Sequence, residues 1–529
     1  MAEPTQALPL LLRVRFGPAL LVFLTSVCVM TLEIAAGRLI ARNLGSSLYT
    51  WTSVIGVVLA GLALGNYLGG RMTERFEATH LLGSLFIASA IATASVPVVD
   101  IGVVSTHLFE GLVWPLRVAL TVAAEFLLPS AVLGTIGPVV MKAALDLGRS
   151  RPGHTIGNVY AAGAFGSIVG TFASGFFLLG VLGTRSLIWA TAGVLGALAL
   201  TVVRTSGRQL AAVTLSVVST VVAASTVQAR GWVIEPDSTE PPQTYQVESD
   251  YFDIEVVPRE RFGGASALRY PGSRVLILDA MVHGFVVPGH PERLEYDYER
   301  LTAQLTARVL RGSQAALFIG GGAYTFPRYY EVTYPGARLD VVEIDPAVTE
   351  AVHAAMDLPR TTRIRSIHQD ARVYVRALTA TSTGTYDVVY GDAFNGFSVP
   401  WHLTTREFDA DIRQVLRPGG AYILNLIDSQ ASERFVGASY CTLKEVFRHV
   451  TVFGMSGSQN RETYVILASD AEVDLQDLRE PDGSPLRAYR LDEARLARIA
   501  ERAGGMVLTD DFAPVDLLTA PIYQERRKF

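Results

Sequence analysis

Three consecutive glycines, Gly320, Gly321 and Gly322, follow the apolar run 315–319 and precede a predicted helix. Glycine lets the backbone turn sharply at such a point, and it lets a ligand approach with no Cβ in the way. Alone this is weak evidence, because many loops contain glycine. The turn nevertheless indicates where a binding site is to be sought, at the end of a buried strand.

Acidic residues at the ends of the next predicted strands strengthen that interpretation. Glu343 and Asp345 follow the turn at about 20 residues, the spacing at which a carboxylate meets ribose hydroxyls in nucleotide-binding folds, and we predict Glu343 as the ribose ligand. Asp370, with Ala371, ends a third strand, where a carboxylate can accept a hydrogen bond from the adenine amine, and Asp392 ends a fourth. These acids predict one nucleoside crevice. The alternative, that Asp345 or Asp370 only caps the helix that follows it, stays open.

The elements that must position these residues are alternating helical and extended patterns between 292 and 469, which predict βαβ units and a parallel sheet. We predict an α/β Rossmann-like domain of the class I methyltransferase type. A small β-sheet precedes it, with strands at 251–257, 267–270 and 275–278. The predicted boundaries are 245–290 for the small sheet, 291–470 for the adenosyl-binding catalytic domain and 471–529 for a C-terminal extension without assigned chemistry.

The first 230 residues have the character of a membrane domain, since half of the whole chain is apolar and the mean hydropathy is +0.30. A helix that crosses a bilayer needs about 20 apolar residues. Seven stretches qualify, and a polar, proline-containing linker at 231–244 follows them. The predicted spans are 18–40, 48–69, 80–104, 117–141, 156–180, 185–203 and 208–228.

The orientation of this domain is contradictory in the sequence. Counting seven spans, nine basic residues lie on the side of the N-terminus and five on the other, which places the N-terminus in the cytoplasm and the C-terminal domain outside. An adenosyl cofactor is not expected outside the cell, so we favour a cytoplasmic catalytic domain at the cell membrane. The run 117–144, interrupted by Pro129 and Pro138, is a candidate re-entrant segment that would change the count.

Other classes of function find no support. The net charge of −5 offers no basic surface for nucleic acid, and the two cysteines, Cys28 and Cys441, cannot form a disulfide framework. The chain contains no Gly-Lys-Ser/Thr phosphate loop and no metal-ligand spacing among its nine histidines, so we expect neither triphosphate hydrolysis nor a metal site.

Several ordered motifs make the part from about 245 to 470 resemble the spermidine synthase, or polyamine aminopropyltransferase, family. The fusion to a multi-span N-terminal region resembles the membrane-bound branch of that family. The motifs are Ser249-Asp-Tyr-Phe-Asp-Ile-Glu-Val, Leu276-Ile-Leu-Asp-Ala, Glu295-Tyr-Asp-Tyr-Glu-Arg-Leu, Gly320-Gly-Gly, Val342-Glu-Ile-Asp-Pro, Gln369-Asp-Ala, Tyr386-Asp-Val-Val-Tyr-Gly-Asp, Leu403-Thr-Thr-Arg-Glu-Phe and Leu416-Arg-Pro-Gly-Gly.

The resemblance implies transfer of an aminopropyl group from decarboxylated S-adenosylmethionine, as co-substrate, to a diamine such as putrescine. It implies Asp392 as the catalytic base and Tyr296 or Tyr298 as the residue that orients the amine. The partners implied are a small-molecule amine and the lipid bilayer, and a homo-oligomer is left open.

Three positions depart from the family pattern. Ala323 stands where the family has an acid after its triple glycine, Asn395 where it has a second aspartate, and His283 where it has a glutamine. We include His283 and Asn395 among the candidate substrate-binding residues. The missing acids would have held the aminopropyl ammonium and the diamine, so the adenosyl pocket is expected to carry over better than the acceptor specificity.

Two other functions are therefore kept. The first is a methyltransferase that uses intact S-adenosylmethionine, which the alanine at position 323 would favour. The second is a non-catalytic transporter or sensor whose soluble part binds an adenosyl metabolite, with Glu33 and Glu125 lining a pathway between helices.

Overall fold

The chain forms two compact units, Met1–Trp232 and Val233–Phe529, in a computed structural model. The structure describes residues 10–14, 16–106, 108–109, 112–148, 151–202, 244–262, 272–279, 281–310, 314–394, 396, 399–455, 461–479 and 485–524.

Six long apolar helices make up most of the described part of the first unit, and each is long and apolar enough to cross a membrane. They correspond to the first six predicted spans, whereas the seventh, 208–228, lies outside the described residues. The helices are α1 (Gly17–Leu44), α2 (Leu48–Arg75), α3 (Ala78–Thr106), α4 (Trp114–Asp146), α5 (Pro152–Leu182) and α6 (Thr184–Val202).

Helix α4 runs without interruption through Pro129 and Pro138. The hypothesis that 117–144 is a re-entrant segment is therefore wrong. A proline inside a helix removes one backbone hydrogen bond, and in an apolar bundle the neighbouring turns and helices compensate for that loss.

Small residues let α2 and α4 approach each other closely. A Cβ built on Gly65 would lie 2.1 Å from the carbonyl oxygen of Ala131, and one built on Gly61 would lie 2.6 Å from the Ser130 Cβ. Gly166 of α5 makes a similar approach to Phe23 of α1, at 2.3 Å from its carbonyl oxygen. These contacts agree with the small-residue spacing in the sequence, which favours close helix packing in membranes.

Two acidic side chains are buried among the helices of this unit. Asp100 of α3 accepts a hydrogen bond from the Asn43 amide at 2.9 Å and is paired with Arg185 at 3.5 Å. Glu125 of α4 is 2% exposed, and among the described residues neither of its carboxylate oxygens has a hydrogen-bond partner.

The helix contact predicts opposite effects for two glycines of α2. Gly65→Ala should destabilise the protein by about 1–3 kcal/mol, because its methyl group has no room against α4. Gly70→Ala should be neutral or stabilise by up to about 1 kcal/mol, because nothing lies within 4 Å of that position and alanine favours helix. Thermal unfolding of the full chain in detergent measures both, and equal melting temperatures for the two variants would contradict the packing described above.

The second unit opens with a four-stranded antiparallel sheet in the order β1-β2-β3-β4. Two of its predicted strands are confirmed in β2 and β3, the stretch 267–270 lies outside the described residues, and the first and fourth strands were not predicted. The strands are β1 (Tyr245–Glu248), β2 (Asp253–Pro258), β3 (Arg274–Leu278) and β4 (Met281–Val286).

An eight-stranded sheet in the order β12-β10-β11-β9-β8-β5-β6-β7 forms the centre of this unit. Strands β9, β8, β5, β6 and β7 are parallel, as predicted, and β11, β10 and β12 extend the sheet antiparallel. The strands are β5 (Ala315–Ile319), β6 (Arg338–Val342), β7 (Arg365–Ile367), β8 (Tyr386–Gly391), β9 (Leu416–Ser429), β10 (His449–Met455), β11 (Arg461–Ser469) and β12 (Ala488–Arg490).

Helices cover both faces of this sheet, so strands such as β5 are buried along their whole length. One face packs on the small sheet and on α7 (Asp297–Val309), α8 (Thr325–Thr333) and α9 (Pro346–Ala355). The other packs on α10 (Ala371–Thr381), α11 (Arg406–Val415), α12 (Arg434–Val446), α13 (Glu493–Arg502) and α14 (Val515–Gln524).

The C-terminal extension is part of this core. It supplies β12, α13 and α14, and the Asp510 carboxylate between them accepts a hydrogen bond from Thr405 at 2.7 Å. None of its described residues lines the cavity at the ends of the parallel strands.

Candidate active site

The glycine turn lies at the carboxyl end of β5, between β8 and β6. Gly320 has a φ of +93°, and a Cβ there would lie 2.5 Å from the carbonyl oxygen of Asp392. A side chain at this position would therefore be strained and would also separate the two strand ends. The predicted turn is present, with its backbone next to the end of β8.

Glu343 fastens the glycine turn to the end of β6. One carboxylate oxygen accepts hydrogen bonds from the N–H groups of Gly321 at 2.8 Å and Gly322 at 3.3 Å, and the other from the Asp345 N–H at 3.0 Å. Burial raises the pKa of Glu343, and these three donors act in the opposite direction. Since a carboxylate has about four acceptor positions, capacity remains for a further donor.

Asp345 and Asp370 each cap the helix that follows. Asp345 accepts from the Ala347 N–H at 2.9 Å, and its second oxygen accepts from the Ser249 hydroxyl. Asp370 accepts from the N–H of Arg372 at 2.9 Å, and its second oxygen contacts His402 Nε2 at 2.9 Å. Both acids thus have the capping role that the alternative interpretation expected, and neither lines the cavity described below. Ala371 is the buried first residue of α10.

Asp392 follows β8 and carries the carboxylate at the centre of the site. The Tyr298 hydroxyl donates a hydrogen bond to its Oδ2 at 3.3 Å, and the Asn425 amide donates to its Oδ1 at 2.8 Å. Burial raises the pKa of Asp392, and these two donors partly offset that effect. Burial also raises the pKa of Tyr298 well above its ordinary value, so the phenol remains a donor.

A cavity of about 190 Å³ opens between the glycine turn, Asp392 and the first turn of α7. Seven of the predicted site residues line it, and Glu343 contributes from behind the turn through its hydrogen bonds. Phe326 and Ile423 supply apolar wall. The predicted residues in the lining are His283, Tyr296, Tyr298, Gly320, Gly321, Gly322 and Asp392.

His283 presents an unused acceptor to this cavity. Its Nδ1 lies 2.9 Å from the carbonyl oxygen of Met281, an arrangement in which Nδ1 is the donor. Its Nε2 is buried and has no hydrogen-bond partner among the described residues. Burial lowers the pKa of His283, so the imidazole is neutral and Nε2 is an acceptor.

The alanine at position 323 has a structural reason. Ala323 is 3% exposed and packs on β4, where a Cβ on Gly284 would lie 2.5 Å from its own. The two positions are therefore in close contact, and β4 has no room for a side chain at 284. The second departure, Asn395, lies outside the described residues.

Two lining residues were missed in the sequence. Glu299, in the first turn of α7, is 3% exposed, and Asn425 of β9 is 8% exposed. A signal was present for Asn425, which is the one polar side chain in the apolar stretch Ile423–Ile427 of a buried strand. Glu299 was concealed because an acid in the first turn of a helix is ordinarily explained by capping.

Metal ligands are not grouped in the described part of the chain: no three His, Cys, Asp or Glu side chains there could hold an ion together. The arrangement is instead that of an acid beside a turn that can receive a nucleoside. It can accept a proton from a group placed in the cavity.

Comparison with known proteins gives relatives of one kind over most of the chain. A polyamine aminopropyltransferase of Vibrio vulnificus (strain CMCP6) is 26% identical over 281 residues, which cover 52% of this chain and 90% of that protein. Polyamine aminopropyltransferase 2 of Streptomyces coelicolor (strain ATCC BAA-471 / A3(2) / M145) is 26% identical over 416 residues, 75% of this chain and 71% of that protein. The second alignment is longer than the unit Val233–Phe529 and therefore extends into the helical unit.

Other similarities are shorter or weaker. An eEF1A lysine and N-terminal methyltransferase of Xenopus laevis is 27% identical over 119 residues, 21% of this chain and 17% of that protein. The crystal structure of a probable spermidine synthase from Corynebacterium glutamicum ATCC 13032 aligns over 50% of this chain and 95% of that chain, with 24% identity and a TM-score of 0.42.

No family model matches the chain. The chain is thus similar to polyamine aminopropyltransferases, in alignments that cover 52% and 75% of its length at 26% identity.

Proposed function

We propose that this protein is a membrane-anchored aminopropyltransferase, which moves the aminopropyl group of decarboxylated S-adenosylmethionine to a diamine such as putrescine. The observation that carries the proposal is the Asp392 carboxylate, held by Tyr298 and Asn425 beside the glycine turn. The similarity to polyamine aminopropyltransferases supports it.

The reaction requires a free amine and a correctly placed sulfonium. The amine nitrogen forms a bond to the propyl carbon attached to sulfur, and the C–S bond breaks with its electron pair left on sulfur, giving a neutral thioether. The amine must lose a proton, and Asp392 is placed to accept it. Its raised pKa suits this role, because a carboxylate of ordinary pKa is a weak base.

The nucleoside is proposed to lie over the glycine turn and toward β6. Glu343 has capacity for a ribose hydroxyl in addition to the backbone donors it already holds. Asp370 can receive the adenine amine if the base displaces His402 from its second oxygen. Asp345 then contributes through the cap of α9 and through the N–H that it donates to Glu343. His283 Nε2 is an acceptor for the aminopropyl ammonium near the alanine at position 323.

The first unit is proposed to hold the enzyme in the cell membrane as a multi-pass domain. Six helices of suitable length and composition support this. The catalytic unit is placed in the cytoplasm, because the adenosyl co-substrate is available there.

Tyr296 is proposed to form a wall of the cavity and to help position the amine. Its ring centroid lies 5.2 Å from that of Phe285.

A methyltransferase that uses intact S-adenosylmethionine is the second candidate. The buried alanine at position 323 favours it, since no acid there would repel the carboxylate of the intact cofactor. Calorimetry of the full chain with each form of the cofactor separates the two functions. Binding of the decarboxylated form with turnover of a diamine supports aminopropyl transfer, and binding of the intact form alone supports methyl transfer.

Asp392→Asn should lower the turnover number by about 10²–10⁴-fold, because it removes the general base. Nucleoside affinity should be unchanged, since Asp392 lies on the amine side of the sulfonium. Glu343→Gln is the matched variant: it should weaken nucleoside binding by about 10- to 100-fold, as expected for hydrogen bonds to a charged group. Calorimetry and steady-state rates measure both. A fully active Asp392→Asn enzyme would remove Asp392 from the mechanism.

The pH dependence should reveal the hydrogen bond between Tyr298 and Asp392. The base acts only when ionised, so the turnover number should fall as the pH drops through the raised pKa of Asp392. Tyr298→Phe removes a donor that stabilises the carboxylate, so this fall should move to higher pH. A uniform loss of rate with no displacement of the profile would instead place the Tyr298 hydroxyl on the amine.

A further inference from the structure

Glu299 is a buried acid in the cavity for which the proposed reaction has no use. It is 3% exposed and lies one residue after Tyr298 in the first turn of α7. One carboxylate oxygen accepts the Tyr296 N–H at 3.2 Å, and among the described residues no cation is paired with this carboxylate. The nearby cations are engaged elsewhere, since Arg300 binds Asp297 at 2.9 Å and Arg259 binds Glu295 at 2.6 Å.

Asn425 presents a second unused acceptor to the same cavity. Its amide nitrogen donates to Asp392 at 2.8 Å, which fixes the orientation of the amide group. Its Oδ1 is buried and has no partner among the described residues. A buried acceptor without a donor costs about 1–3 kcal/mol, so a ligand that supplies N–H groups would relieve this cost.

Along the strand order, Glu299 and Asn425 lie on the β9 side of β8, and the proposed nucleoside position lies on the β5 side. The nucleoside end is formed by β5 and β6, with the glycine turn and Glu343. Helix α7, which carries Glu299, makes its strand contacts mainly with β8, β9, β11 and β12, and Asn425 is in β9. With the sulfonium at the glycine turn and Asp392 at the end of β8, the amine acceptor enters on the side of Glu299.

We propose that Glu299, with the Asn425 amide oxygen, binds the distal ammonium of a diamine acceptor while Asp392 receives the proton of the reacting amine. The proposal rests on the proposed aminopropyl transfer and names its acceptor class. Glu299 then supplies, from α7, the negative charge that is missing at Ala323 and Asn395. It makes the enzyme selective for acceptors with a second positive charge over monoamines of the same length.

Protonation of Glu299 gives the proposal an independent signature. Burial raises the pKa of Glu299 to about 8. The Tyr296 N–H and Arg300 act against this effect, and Asp392 and Glu295 act with it. At pH 7 the raised pKa therefore favours the protonated form of Glu299 when no amine is bound. A bound ammonium stabilises the carboxylate, so diamine binding should release a proton, and diamine affinity should rise with pH until about 8.

The test compares 1,4-diaminobutane with n-butylamine as acceptors for the full chain in detergent. Glu299→Gln should raise the KM for the diamine by about 10- to 100-fold and leave the monoamine unchanged. Glutamine still accepts the Tyr296 N–H, so the start of α7 is preserved. Asp297→Asn, on the same turn but outside the cavity lining, is the matched control and should change neither acceptor.

Calorimetry of diamine binding in two buffers of different ionisation enthalpy completes the test. The wild type should release a proton at pH 7, and Glu299→Gln should not. A Glu299→Gln enzyme with wild-type diamine KM and wild-type proton release overturns the proposal. If the wild type binds the diamine but does not turn it over, the proposed reaction fails, and weaker binding by Glu299→Gln still supports the role of Glu299. A wild type that does not bind the diamine overturns both.

Discussion

Two donors, the Tyr298 hydroxyl and the Asn425 amide, hold the half-buried Asp392 carboxylate at the end of β8. The chemistry of the cavity depends on how far these two donors offset the effect of burial on the pKa of Asp392. Burial alone would favour the neutral acid, and a neutral acid cannot take a proton. Two neutral donors stabilise the ionised form without adding a cation that would repel an ammonium substrate. The helix and the two strands that carry these three residues must therefore keep a register that holds them within hydrogen-bonding distance of one another.

The sheet supplies that register. Strand β8 lies between β5 and β9, so Asp392 is placed against the glycine turn on one side and opposite Asn425 on the other. The Asp392 N–H donates to the Ile319 carbonyl oxygen at 2.9 Å, which continues the pairing of the strands beyond their ends. Glu343 performs the equivalent task between β5 and β6. Extensions of the strands thus supply the centre of the pocket, and Phe394 and Gly396, after β8, complete part of its lining.

Much of this could be predicted from the sequence because it follows from short patterns. The apolar run before Gly320, and the acids after each later strand, have the spacing of βαβ units, and the structure confirms the parallel strands. Of the acids, Asp392 lines the cavity and Glu343 holds the glycine turn. The capping of helices by Asp345 and Asp370 was expected as an alternative, but a sequence does not show which groups the carboxylate oxygens contact. Strand β4 was not predicted, because its pattern is short and includes a glycine.

The residues that were missed act through tertiary burial. The place of Asn425 follows from β9 pairing with both β8 and β11, a long-range property. Glu299 looks like an ordinary helix-start acid until the sheet that faces it is known. In the first unit, the prolines of α4 suggested an interruption that this helix does not have.

The contact between Gly284 and Ala323 limits which residues strand β4 can carry. A Cβ on Gly284 would lie 2.5 Å from the Cβ of Ala323, so any side chain at position 284 requires a shift of the strand or of the residues after the glycine turn. Because Ala323 directly follows Gly322, such a shift would be transmitted to the turn itself. The small antiparallel sheet, whose described strands supply no acid to the cavity, therefore still controls its shape.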